Sequence, residues 1–161
     1  MGCVIMNIRR AQEKDIESID RLLCQVLEVH HSGRPDLFKG NTKKYSDSQL
    51  SEILRDDSRP VFVAEDENGN VQGYAFCVFQ CHEGDNILTD IKTLYIDDLC
   101  VDENVRSQHI GRSLYDYVLD FAKREGCYNV TLNVWDCNKS AMKFYQSCGL
   151  SVQKTCMEKI L

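Results

Sequence analysis

Seven residues, Arg106-Ser-Gln-His-Ile-Gly-Arg112, place two guanidinium groups around small and polar residues directly before an apolar helical pattern. That combination suits a polyanion. Ahead of it runs a short apolar strand end, Leu99-Cys100-Val101, then an acidic turn of Asp102, Glu103 and Asn104. Behind it, Ile110, Leu114, Tyr117, Val118 and Phe121 share one helical face. The order is strand, loop of backbone donors, helix N-terminus. The free N–H groups of a first helical turn and the positive end of the helix dipole both favour anionic oxygens. Arg106 and Arg112 add charge where phosphates would sit, and Gly111 offers a backbone with no Cβ in the way. Ser107, Gln108, His109 and Ile110 supply the intervening backbone. Taken alone, the same loop also describes ordinary helix capping.

A second segment, Asn138-Lys-Ser-Ala141-Met-Lys-Phe144-Tyr145-Gln-Ser-Cys-Gly149-Leu150, changes the weight of the first. Together they resemble the GNAT superfamily of acyl-CoA-dependent N-acetyltransferases. That family's pyrophosphate loop reads R/Q-x-x-G-x-G/A, here Arg106-Ser-Gln-His109-Ile-Gly111. Its later signature reads N-x-x-A-x-x-F-Y-x-x-x-G-F, matched at each key position except Leu150, where the family has Phe. The resemblance covers essentially the whole chain.

What the resemblance implies is specific. Acetyl-CoA, the cosubstrate, would lie between the strand ending at Val101 and a strand at 129–134. The backbone of Leu99, Cys100 and Val101 would bond the pantetheine arm as an added strand would. The backbone from Ser107 to Arg112 would take the pyrophosphate. Asn138 is an N-cap by residue type, and the resemblance also places it, with Ser140 beside it, against the cofactor. Tyr145 matches the family's tyrosine beside the sulfur, where its hydroxyl would protonate the departing thiolate. His109 stands where the family's first loop glycine does, which restricts the loop's backbone angles.

The general base is not legible. Asn133 occupies a position that is Glu in some family members, and an amide cannot accept the proton. Carboxylates remain at Asp97, Asp98 and Asp136. On an extended strand Asp97 and Asp98 point to opposite faces, so one at most meets the cleft unless a bulge intervenes. A water chain to bulk solvent would serve equally. Cys100 lacks a recognisable histidine to activate it as a nucleophile.

The elements that must hold these residues follow from periodicity. A strand is expected at Val4–Ile8, then a helix from about Asp15 to His31 with Ile16, Ile19, Leu22, Leu23, Val26 and Leu27 as its apolar stripe. Residues 30–45 carry Gly33, Pro35, Gly40 and Asn41 and read as loop, and Ser46 with Gln49 opens a second helix through a capping box. Strands at 61–65 and 71–81 flank an Asn68-Gly69 turn. Further strands are expected at 93–101, 129–134 and 153–160, with helices at 110–125 and 138–148. One domain spanning 1–161 is expected, a mixed α/β fold. By resemblance it is the GNAT fold, a splayed, mainly antiparallel sheet with helices on both faces. The acceptor site would be built from 30–45 and the polar excursion at 81–90.

Composition sets the outer bounds. An apolar fraction of 43% and a charged fraction of 27% describe an ordinary globule. A net charge of −6 disfavours a nucleic-acid partner. Nine cysteines, an odd number at irregular spacing and without C-x-x-C, read as reduced thiols in a cytoplasmic protein. Cys77, Cys81 and His82 lack a second ligand pair, so no metal is expected. No apolar run approaches membrane-spanning length, so no membrane partner is expected. Cys156, Met157 and Ile160 could form an apolar edge between two copies, making a homodimer. Two functions fit: an N-acetyltransferase acting on a primary amine, or a non-catalytic acyl-CoA sensor. His109 and Asn133 favour the sensor, and Tyr145 favours the enzyme.

Overall fold

The structure, a computed structural model, describes residues 6–161. Among these residues five strands form one sheet in the order β1-β2-β3-β4-β5, at Asn7–Arg10, Val61–Glu65, Val71–Gln80, Thr93–Val101 and Asn129–Leu132. The first four are antiparallel neighbours, and β4 and β5 run parallel. Parallel neighbours need a crossover, which α3 (Ile110–Arg124) provides. Helices α1 (Ile16–Gly33) and α2 (Asp47–Arg55) precede β2, and α4 (Lys139–Ser147) follows β5.

Alternation along the strands divides the core in two. Val61, Val63, Tyr74 and Phe76 face α1 and α2, where Ile19, Leu22, Leu23, Leu50 and Ile53 are buried. Phe62, Ala64, Ala75 and Cys77 face α3, against Ile110, Leu114, Tyr115 and Val118. Helices therefore cover both faces, as the mixed α/β reading requires. The capping box of α2 forms as expected: Ser46 Oγ accepts from the Gln49 N–H, and the Gln49 side chain accepts from the Ser46 N–H.

Two elements differ from the sequence pattern. The first strand lies at Asn7–Arg10, later than the expected 4–8, and residues 4 and 5 fall outside the described part. The last expected strand, 153–160, does not form. Residues 150–161 have no regular structure, and Val152, Met157 and Ile160 are exposed. A strand exists only with a hydrogen-bonded neighbour, and β5 stands at the sheet edge with none beyond it among the described residues. Among the described residues no helix is long and apolar enough to cross a membrane.

Candidate active site

The sheet comes apart where the sequence places its chemistry. Pairing of β4 with β5 runs only from Thr93↔Asn129 to Ile96↔Leu132, whereas β4 continues to Val101. From Asp97 onward β4 keeps β3 on one side, Leu99 opposite Ala75 and Val101 opposite Gly73, and among the described residues has no strand on the other. Its backbone groups there need partners that this chain does not supply through a strand. Asn133 Nδ2 donates to the Tyr95 hydroxyl at 3.1 Å, closing the end of the gap at which pairing stops.

A bulge sits at the same point. The register passes from Cys77↔Ile96 to Phe76↔Asp98, leaving Asp97 as the extra residue. One inserted residue reverses the alternation of everything after it. Leu94 and Ile96 face α3, but beyond the bulge Cys100 packs with the α1 side and Leu99 and Val101 with the α3 side. Asp98 follows Cys100: its Oδ2 accepts from the Tyr74 hydroxyl at 2.9 Å. Lys44 Nζ lies 3.2 Å from Asp97 Oδ2 and 3.8 Å from Asp98 Oδ2, so both carboxylates meet one ammonium. The bulge thus brings both aspartates to one ammonium, where strict alternation would have set them on opposite faces. Asp136, in contrast, is fully exposed and paired with Lys139.

Burial pushes the Asp98 carboxyl above the ordinary carboxylate range, against the opposing pull of Lys44 and the Tyr74 hydroxyl. Burial, and after it the same carboxyl, raise the Tyr145 phenol, which stays protonated at neutral pH. Burial pushes the Cys100 thiol up to about 12, which disqualifies it as a thiolate nucleophile. His30, on the last turn of α1, is held below its ordinary value, first by burial.

At the far end of the gap, β4 passes through a short 3-10 turn (Glu103–Val105) into the loop before α3. Ser107 and His109 both have positive φ, 69° and 61°, and Gln108 between them does not, an alternation of the kind from which anion-binding nests are built. His109 thus adopts the left-handed conformation that a glycine would take. Histidine visits that region more readily than most residues, and the loop keeps its shape at a cost of about 1 kcal/mol. No side chain caps α3, leaving its first N–H groups open. A Cβ added to Gly111 would meet Phe144 and Val101 at 3.5 Å, so this bare Cα bounds the space between β4 and α4.

A family model described as Acetyltransferase (GNAT) family matches residues 26–150. The chain belongs to the GNAT acetyltransferases. It is 31% identical over 154 residues to the thialysine N-epsilon-acetyltransferase of Bos taurus, covering 88% of this chain and 82% of that one. Among solved structures, a mutant of the BH1408 protein from Bacillus halodurans has a TM-score of 0.93 at 33% identity, covering 97% and 99% of the two chains. An aminoglycoside acetyltransferase from an uncultured soil metagenomic sample, in complex with sisomicin, shares the fold with a TM-score of 0.73 at 21% identity, covering 97% and 95%. This GNAT chain is therefore an acyl-CoA-dependent acetyltransferase, and the sensor reading gives way to the enzyme.

In this GNAT chain the residues singled out by sequence lie on β4, on the loop into α3 and on α4. Leu99, Cys100 and Val101 line the open edge of β4, and Ser107 to Gly111 form its terminus. Arg106 turns back, its Nε 3.4 Å from the Val101 carbonyl. Arg112 turns along the helix to Asp116, at 2.9 and 3.0 Å. Asn138 Oδ1 caps α4 by accepting from the Ala141 N–H at 3.1 Å and the Ser140 hydroxyl at 3.0 Å. Tyr145 packs half-buried against Phe144 and Tyr115, with ring centroids 5.1 and 6.4 Å away. Of the two segments expected to build the acceptor site, 30–45 reaches the bulge through Lys44, and Phe38 meets Trp135 edge-on at 5.2 Å. The excursion 81–90 bonds within itself and stays exposed. Lys44, Tyr74 and Tyr95 were missed by sequence reasoning, because nothing local marks a residue whose partner lies on a distant strand.

Proposed function

We propose that this enzyme moves an acetyl group from acetyl-CoA to a primary amine by direct attack. The observation that carries the proposal is the splay: a strand edge without a neighbour from Asp97 to Val101, leading to an uncapped helix N-terminus behind a nest. An extended polar arm fits the first, and a pyrophosphate fits the second. The residues present thus fit acetyl-CoA, which when bound supplies an activated acyl group on sulfur.

The chain's own groups would then act as follows. Backbone N–H groups near Val101 hold and polarise the acyl carbonyl. Asp98, whose pKa burial raises and whose carboxyl lies at the unpaired part of β4, receives the proton the amine must lose. The Tyr145 hydroxyl, kept protonated by burial, gives a proton to the departing sulfur. Asn133, committed to Tyr95, takes no part in proton transfer. Two copies joining at the β5 edge through 153–160 fit the exposed Met157 and Ile160 and the missing strand.

Release of free CoA in the presence of polyamines, aminoglycosides, amino acids, peptide N-termini and lysine peptides tests the reaction. Gly111→Glu tests the binding half. It sets a bulky negative charge beside the open helix N-terminus, and acetyl-CoA affinity by calorimetry is expected to fall on the order of a hundredfold. Unchanged affinity in a folded variant refutes the assignment.

A further inference from the structure

One charged side chain in the gap has no part in the scheme above. Lys44 belongs to the irregular segment between α1 and α2, and its side chain is about a third exposed, at 35%. Its ammonium nevertheless reaches inward to both bulge carboxylates and lies 5.3 Å from the centre of the Tyr45 ring. We propose that Lys44 occupies the seat of the acceptor's amine, and that the acceptor is a primary amine presented as an ammonium cation which displaces it. The inference rests on the acetyl-transfer reading, which already takes the acceptor as a primary amine, and adds where its nitrogen sits and which side chain it must displace.

The asymmetry of the cluster carries the argument. Lys44 can withdraw to solvent by rotating a flexible stem. Asp98 cannot follow, since its side chain is only 9% exposed and fixed by Tyr74. A buried carboxylate left without a counter-charge is costly, so what replaces Lys44 must bring a positive charge of its own. Asp98 Oδ1 accepts no hydrogen bond among the described residues, which leaves an acceptor atom for the incoming N–H. The walls suit a cation as well. Tyr45 offers its ring to the ammonium and stacks on Phe76 with centroids 6.0 Å apart. A neutral hydroxyl or amide of equal size fills the space without answering the charge.

The test needs no turnover. In the full-length protein the Asp98 side-chain carboxyl is followed by carbon-detected NMR while n-butylammonium chloride is added, with n-butanol and sodium chloride as controls. Two cations cannot share carboxylates within 4 Å without strong repulsion. The half-saturating n-butylammonium concentration is therefore expected to drop at least tenfold in Lys44→Met, and to stay near wild type in Lys44→Arg. If Lys44→Met does not fold, Lys44→Gln replaces it. An equal or higher concentration in the neutral variant overturns the proposal, as does n-butanol acting as strongly, or absence of binding to either protein. Calorimetry with acetyl-CoA on the same samples separates the two readings. Loss of amine binding with acetyl-CoA still bound sinks the Lys44 inference alone, whereas failure of acetyl-CoA to bind sinks the transfer reaction.

Discussion

Replacing Tyr145 by Phe removes one oxygen and little else. The ring sits half-buried against Phe144 and Tyr115, and its hydroxyl forms no hydrogen bond with the described residues, so the Phe variant abandons no protein partner. The stability change is expected to stay below about 1 kcal/mol, since the usual penalty for an unmet donor does not arise. The chemistry is different. Burial and the Asp98 carboxylate raise the phenol's pKa, so it is a fully protonated donor throughout the working pH range. A donor that bonds to charge developing on a leaving sulfur matters chiefly in the transition state, and its loss lowers kcat while sparing cofactor affinity. General acids contribute ~10²–10⁴-fold, and water entering the vacated space recovers part of this. A fall of at least roughly tenfold in kcat is expected, equal to about 1.4 kcal/mol of barrier. The assay is steady-state CoA release with any accepted amine, alongside acetyl-CoA calorimetry and thermal denaturation. An undiminished kcat in a folded variant refutes the proton-donor role.

Asp98→Asn keeps an acceptor for Tyr74 and removes the buried charge. Because burial raises the Asp98 pKa, its contribution to stability is present below the ordinary carboxylate range and disappears as pH rises through the raised value. The Asn variant is thus expected to melt no lower than wild type at pH 7 while losing activity; a lower midpoint at pH 7 contradicts the burial argument. Asp102 behaves oppositely. Burial opposes ionisation, but Arg21 and the Asn104 N–H bring its pKa from 3.8 down to about 2. That drop corresponds to roughly 2 kcal/mol, which screening at the half-exposed Arg21 reduces to about 1 kcal/mol. Asp102→Asn should lower stability above pH 4, with the difference vanishing as pH falls toward 2, as urea titrations across pH would show. For the oligomer, sedimentation is expected to give twice the chain mass; a single species at 18.5 kDa excludes the dimer.

The sequence by itself determined most of the elements and the loop that joins β4 to α3. The periodicities of 16–27 and 110–121, the Ser46–Gln49 box and the Asn68-Gly69 turn are local signals, and local hydrogen bonding makes them so. The loop from Arg106 to Gly111 and the cap at Asn138 were legible for the same reason: each motif lies within one turn of chain. The strand expected at 153–160 shows the limit, since its residues carry a strand pattern but a strand requires a neighbour, which pattern cannot supply. Only the tertiary structure set Asp97 and Asp98, which meet one ammonium, apart from the exposed Asp136. A single extra residue in β4, visible only in its register against β3, turns Asp98 toward Tyr74 and His30 and brings Lys44 to it across 54 residues of chain. Alternation read along one strand predicts faces correctly until a bulge intervenes, and the bulge is a property of the pair of strands.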